Sequence, residues 1–272
     1  MDSKRILYVS QEIHPYLPEN EISKPSLELP KKMNEKGHQV RVFMPRYGLI
    51  NERRHQLHEV IRLSGINIIV NDMDQPLIIK VASVPQARMQ VYFIDNEEFF
   101  KRKATFFDEE GNYFSDNDSR AIFFCRGVIE TVKKLGWAPD IIHCHGWLAS
   151  FMPMYLKMFH YDDPLFAESK VVMSVYDSKP HTMAPSLIEN LEFDGLNGED
   201  IKKYENATID DLYAAAASFS DAAVIGSENV EQKLKDLVAA NVSTLVDYAG
   251  EEDYVGKVHG LYESLVEEES VA

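Results

Sequence analysis

The chain has 272 residues, 45% of them hydrophobic and 26% charged, a profile that suits a globular α/β fold with ample surface to bury. Acids outnumber bases 44 to 28, and the resulting net charge of −16 repels nucleic acid and anionic membranes, so neither is an expected partner. The opening apolar run is too short for a signal peptide, no later run spans a bilayer, and Cys125 and Cys144 form no CxxC pair, so the expected compartment is the cytoplasm.

"RILYVS" (Arg5 to Ser10) reads as a buried parallel strand. Pro25 suits the first turn of a helix that Gly37 closes, and "HQVRVFMP" returns as a second strand, completing one βαβ unit. From Glu59 to Asp95 the runs "EVIRLSGINIIV", "PLIIKVASV" and "MQVYFID" are rich in β-branched residues and separated by turn clusters. They predict antiparallel ribbons inserted beside the parallel sheet. A helix is predicted from about Asn117 to Leu135 with Gly136 as its stop. Strands "APDIIHCH", "SKVVMSVY" and "DAAVIGS" then alternate with helices "WLASFMPMYLKMF", "IDDLYAAAASF" and "NVEQKLKDLVAA". Such alternation predicts a Rossmann-like, doubly wound parallel sheet with helices on both faces. Apolar residues at 254, 255, 258, 261, 262, 265 and 266 form one face of a closing helix over 252–269. No repeat or linker divides the chain, so residues 1–272 are read as one domain.

The turn after the first strand is unusual. Strand–turn–helix openings that bind phosphates use glycine there, for φ > 0 and for close backbone approach. This chain has Pro18, Glu19, Asn20 and Glu21.

Five blocks give the chain a relative. "VSQEIHPYLPENEISKPSLELP" aligns without a gap to an opening in which Ser-Glu-x-x-Pro leads into Lys-x-Gly-Gly-Leu, with Glu12, Pro15, Leu29 and Pro30 kept. "MPRYGLI", "VYFIDNEEFF", "SDNDSRAIFFCRGVIE" and "WAPDIIHCHGW" have close counterparts in the same order, and "FSDAAVIGSENV" resembles the strand that follows. Over about 5–230 the chain thus resembles the N-terminal half of the glycogen and starch synthases, which transfer glucose from ADP-glucose to an α-glucan. The resemblance implies one lobe of a two-lobed GT-B glycosyltransferase, with the nucleotide mainly on the other lobe.

Several of the family's functional positions are altered. Its phosphate-facing lysine falls on Pro18, its two glycines on Asn20 and Glu21, and a nearby acid on Lys24. In the block His-x-His-Asp-Trp-His, His143, His145 and Trp147 remain, but Gly146 replaces the acid and Leu148 the last histidine. The sugar-site Val-His-Asn becomes Val175-Tyr176-Asp177, Leu-Lys-Ala-Gly becomes Tyr213-Ala214-Ala215-Ala216, and no counterpart of the C-terminal lobe follows. A carboxylate about 6 Å from a phosphate charge costs roughly 3 kcal/mol at an effective dielectric of about 20. The expectation is a synthase-like protein that is catalytically degenerate on its own, with no cofactor and no assigned catalytic residue.

Candidate substrate contacts are Glu12, His143, His145, Trp147, Tyr176 and Asp177. Each has an alternative. Glu12 could cap amides of the next turn, Trp147 could stack on a sugar or fill the core, and Tyr176 and Asp177 could be satisfied surface groups. His143 and His145 point to one face of a strand, but a metal would need a third ligand that the sequence does not place. The readings left open are a glucosyltransferase completed by a second chain, a non-catalytic lobe binding α-glucan or another glycogen-metabolism protein, and an unrelated small-molecule enzyme reusing the same cleft.

Overall fold

The computed structural model describes residues 3–84 and 87–267. Strand β1 (Arg5–Ser10) leads through a long turn into helix α1 (Pro25–Glu35) and back to β2 (Gln39–Pro45). Pro25 stands in the first turn of α1, where its missing N–H costs nothing, and Gly37 (φ +93°) lets the chain turn out of the helix. Next come a single turn α2 (Glu52–His55), the short β3 (His58–Glu59), β4 (Ile66–Val70), β5 (Met73–Val84) and β6 (Met89–Asp95). After α3 (Glu97–Phe100), helix α4 (Asn117–Leu135) ends at Gly136, whose φ of 57° is the left-handed stop the sequence predicts.

Strand β7 (Ile141–His145) passes through a 3-10 turn (Trp147–Ala149) into α5 (Phe151–Phe159), and β8 (Lys170–Val175) follows. Two short helices, α6 (Ser186–Phe193) and α7 (Gly198–Lys202), precede α8 (Ile209–Ser218), which opens on a capping box made by Thr208 and Asp211. Strand β9 (Ala222–Ile225), α9 (Gln232–Ala239), β10 (Leu245–Val246) and α10 (Glu251–Glu267) complete the order. The closing helix begins one residue before its predicted start. Its expected continuation through Glu268 and Glu269 lies outside the described residues.

The strands form one sheet in the order β10-β9-β8-β7-β1-β2-β6-β5-β3, with β4 paired to β5. One expectation needs correction. The run 89–95 belongs to the parallel sheet as well as to the antiparallel ribbon, because β6 pairs in parallel with β2 and antiparallel with β5. It is the last parallel strand and the platform for the antiparallel edge. Its buried residues Val91, Phe93 and Ile94 are as apolar as those of a central strand.

The strand order reverses between β1 and β7, so their carboxyl ends form the topological switch point of the sheet. Tyr8 and Ser10 of β1 stand in register with His143 and His145 of β7, which puts all four on one face. Helix α1 reaches that face through a Ser10–Ser26 hydroxyl bond of 2.8 Å, and α10 packs beside it. Cys144 projects to the other face, toward Cys125 of α4, and α4, α5, α8 and α9 pack there in succession.

Helix α10 buries Tyr254, Val258, Leu261, Tyr262 and Leu265. Its contact with the sheet is polar as well as apolar. Tyr262 Oη lies 2.5 Å from His143 Nδ1 and 3.2 Å from Tyr8 Oη, and Tyr254 Oη lies 3.5 Å from Ser174 Oγ. A buried polar atom stripped of its partner costs about 1–3 kcal/mol. Tyr262→Phe is therefore expected to lower the unfolding free energy by roughly that amount, with an unchanged urea m-value. Equilibrium urea denaturation checks this.

Candidate functional site

The turn between β1 and α1 solves the problem of a helix start without glycine or phosphate. Asn20 Oδ1 accepts the backbone N–H of Ile22 (2.9 Å) and of Ser23 (2.7 Å). Ser23 Oγ accepts the N–H of Asn20 at 2.9 Å and donates to the Pro18 carbonyl at 2.8 Å. No residue from Pro18 to Lys24 has positive φ, so the turn needs no glycine. The amides that would face an anion at such a helix start already have an internal acceptor.

Glu12 holds this cap in place. Its carboxylate accepts the Asn20 amide at 2.5 Å and the Gln11 amide at 3.2 Å. The expected alternative, a direct cap on backbone amides, becomes an indirect one through Asn20. Burial pushes the Glu12 carboxyl above its usual range, partly offset by those two bonds.

A cleft of about 430 Å³ opens beside this turn, between α1, the residues after β9 and the first turns of α10. Five glutamates line it (Glu19, Glu21, Glu28, Glu228 and Glu251) against one lysine, Lys24. Lys24 Nζ is itself held by both carboxylate oxygens of Glu251, at 2.8 and 2.7 Å, and Glu251 keeps the ammonium pKa above its usual value. Asn229 donates to Glu21 across the same cleft. The cleft is therefore acidic, and its lysine is already neutralised from within.

The switch point itself is filled. Gln11 N extends the ladder by bonding His145 O at 3.1 Å, and Gln11 Oε1 accepts Leu148 N at 3.4 Å. The Gln11 side chain occupies the space a side chain at Gly146 would need, for a Cβ there would lie 2.3 Å from Gln11 Oε1. Gly146 also has φ +85°.

The six predicted contacts separate into interior and rim. His143 and His145 are fully buried, with ring centroids 4.1 Å apart. Both nitrogens of His143 are used, Nδ1 on Tyr262 and Nε2 on Ser174 Oγ at 2.7 Å, while His145 Nδ1 lies 2.8 Å from Tyr176 Oη. Burial lowers both pKa values, that of His145 to about 3, so the two imidazoles stay neutral. Trp147 is 2% exposed and packs on Phe106 at 4.9 Å, which favours the core reading over an open stacking face. Tyr176 is fully buried and so is not the surface group expected of it, because Gly226, with no side chain, leaves room for its ring. A Cβ at Gly226 would stand 2.2 Å from that ring. Glu12 is half-buried and Asp177 exposed, so these two reach the rim.

Two residues that the sequence reading did not single out also stand at this end of the sheet. Tyr113 and His181 stack at 4.0 Å with an interplanar angle of 21°, both half-buried, and Tyr113 Oη donates to the Lys179 carbonyl at 3.1 Å. Nothing local in the sequence pairs them, since they lie in separate connections. Among the described residues no group of three or more His, Cys, Asp or Glu is placed to hold a metal, and no helix is long and apolar enough to cross a membrane.

The architecture, a parallel sheet with its crevice at the carboxyl ends, is that of a single Rossmann-like lobe of a GT-B glycosyltransferase. The starch synthase catalytic domain model matches residues 5–241, and the chain belongs to that family. Curated relatives include the glycogen synthase of Chlorobium limicola, 38% identical over 64% of this chain and 36% of its own length. That of Chlorobium luteolum is 36% identical over 75% of this chain and 42% of its own. The chain thus spans about two fifths of these relatives. Among solved structures, the catalytic domain of starch synthase IV from Arabidopsis thaliana, bound to ADP and acarbose, superposes with a TM-score of 0.70. That match has 16% identity and covers 93% of this chain and 53% of the other. A sucrose-phosphate synthase chain from Thermosynechococcus elongatus gives 0.50 at 12% identity, covering 96% and 99%. At these identities the two structures speak for the fold alone.

The buried histidines generate a pH prediction. Their folded pKa values lie below the ordinary 6.5, so the unfolded chain binds more protons as pH falls through that value. Stability is full above about pH 7 and falls below it by about 1.4 kcal/mol per pH unit for each histidine. His145→Asn is expected to reduce the slope of unfolding free energy against pH, between pH 6 and 4, by about one proton. Denaturation at a series of pH values measures it.

Proposed function

We propose that this chain is a glycogen-synthase-type lobe that does not grip a sugar nucleotide and serves α-glucan metabolism in a non-catalytic capacity, binding α-glucan or another glycogen-metabolism protein. The observation that carries this reading is the closed helix start. Asn20 takes the Ile22 and Ser23 amides at the helix start, Glu251 takes the lysine, and the surrounding cleft is lined with carboxylates. Retaining glucosyl transfer needs the leaving diphosphate held as its charge develops, and this cleft offers repulsion instead.

For the glucan, the stacked pair Tyr113 and His181 supplies a partly exposed aromatic surface, and flat rings suit the apolar faces of sugars. Of the six sequence candidates, Glu12 and Asp177 are assigned contact at the rim. His143, His145, Trp147 and Tyr176 are assigned a positioning part from beneath. A cytoplasmic location fits the two free, buried cysteines.

Family membership favours a second reading, glucosyl transfer from ADP-glucose by this lobe together with the remaining three fifths of the relatives' length, supplied in the same or another chain. Calorimetric titration separates the two. The first reading expects no heat of binding for ADP or ADP-glucose at millimolar concentration, co-sedimentation with glycogen, and loss of that co-sedimentation in Tyr113→Ala. Micromolar ADP binding, or ADP release from ADP-glucose and glycogen above a boiled control, would overturn it.

A further inference from the structure

Away from the acidic cleft, α10 is fastened to the lobe by two histidines. His38, in the corner between α1 and β2, is 8% exposed, and the side chain of His259, at the midpoint of α10, is 12% exposed. Their Nε2 atoms lie 3.3 Å apart. The backbone N–H of Lys4 donates to His38 Nδ1 at 3.2 Å, so that nitrogen is bare and the neutral ring carries its proton on Nε2. His38 Nε2–H therefore donates to His259 Nε2. His259 in turn carries its own proton on Nδ1, the atom that faces Glu263 Oε2 at 3.6 Å. The bonds run in one direction from the backbone before β1 to α10, and only neutral rings complete them.

A further proton has no place in this arrangement. On His38 it would sit on Nδ1 against the Lys4 N–H, and on His259 it would sit on Nε2 against the N–H of His38. Two hydrogens would meet where one hydrogen bond stood. The charges facing the pair decide which ring takes it. Lys4, just before β1, and Lys36, at the end of α1, stand near His38, whereas Glu263 of α10 lies beside His259. Burial, then the neighbouring imidazole and Lys36, lowers the His38 pKa. Its stabilisation is therefore present above the ordinary 6.5 and lost as pH falls below it. We propose that the pair is a proton-released clasp on α10. Neutral, it ties the midpoint of the helix to the α1–β2 corner, and uptake of one proton, shared between His259 and Glu263, undoes the tie. Tyr262, which bonds His143 and Tyr8, lies one turn further along the helix, so release loosens the cover of the buried polar layer. The clasp does not depend on the non-catalytic reading or on what the rim binds.

Long-range 1H–15N spectra of the imidazoles, taken on the 15N-labelled full chain at pH 8, test the tautomers directly. His38 is expected in the Nε2–H form and His259 in the Nδ1–H form. Amide hydrogen exchange at pH 7.5 and 5.5, expressed as protection against the free-peptide rate at each pH, then reads the clasp at residues 255–266. The comparison protein carries His38→Gln and His259→Gln together. Its side-chain amides can form the same bond but take up no proton, and His143 and His145 titrate in both proteins alike. Between the two pH values, protection is expected to fall about tenfold further in the unsubstituted chain, the effect of one proton taken up one unit below pH 6.5. A His38 proton on Nδ1 at pH 8, or an equal loss of protection in both proteins, rules the clasp out.

Discussion

Between the sheet and α10 lies a layer of polar side chains sealed from water, and the arrangement of the whole carboxyl end follows from how that layer is satisfied. Tyr8, His143, His145 and Ser174 rise from three adjacent strands, and Tyr254 and Tyr262 descend from the helix. In a medium where an unpaired hydroxyl or imidazole is penalised, each of these groups restricts its neighbours. His143 spends one nitrogen on the helix and the other on β8, so the helix can neither slide nor rotate without stranding it. Fixing α10 in turn fixes Glu251 above Lys24, and so sets the charge of the cleft beyond. The chemistry at the rim is thus dictated from inside.

The turn at 18–24 shows how a helix start can be closed without glycine. A helix start has unsatisfied amides whatever the protein does, and something must accept from them. Here an asparagine side chain does so, and Glu12 anchors that asparagine. The frame of the family persists because its strands and core are built from buried apolar residues that do not depend on the ligand. What departs from the resembled pattern at this turn is confined to a few side chains, Pro18, Asn20, Glu21 and Lys24.

Much of the fold was legible in the residues. Buried strands announce themselves as short apolar runs, α4 by its periodicity and its glycine stop, and α10 by one apolar face. The antiparallel edge was harder, since β-branched runs say nothing of direction, and only the partner of β6 distinguishes a ribbon from a sheet strand. Helices α6 and α7 were missed because they are short and sit in a polar connection. For the site, the H-x-H spacing correctly put both imidazoles on one face but could not say that a helix over a hundred residues away would cover it. Tyr113 and His181 were invisible for the same reason: their proximity is a property of topology, and no local pattern encodes it.

The contact between Tyr176 and Gly226 couples two positions on neighbouring strands. A tyrosine following β8 fits in this position only where the neighbouring strand presents no side chain at that level, since even one methyl group at 226 would clash with the edge of its ring. Substitutions at the two positions are therefore not expected to be additive. A larger residue at 226 would require the Tyr176 ring to move aside or to be replaced by a smaller side chain. The choice of residue at either position is thus set by packing with the other, whatever the lobe binds.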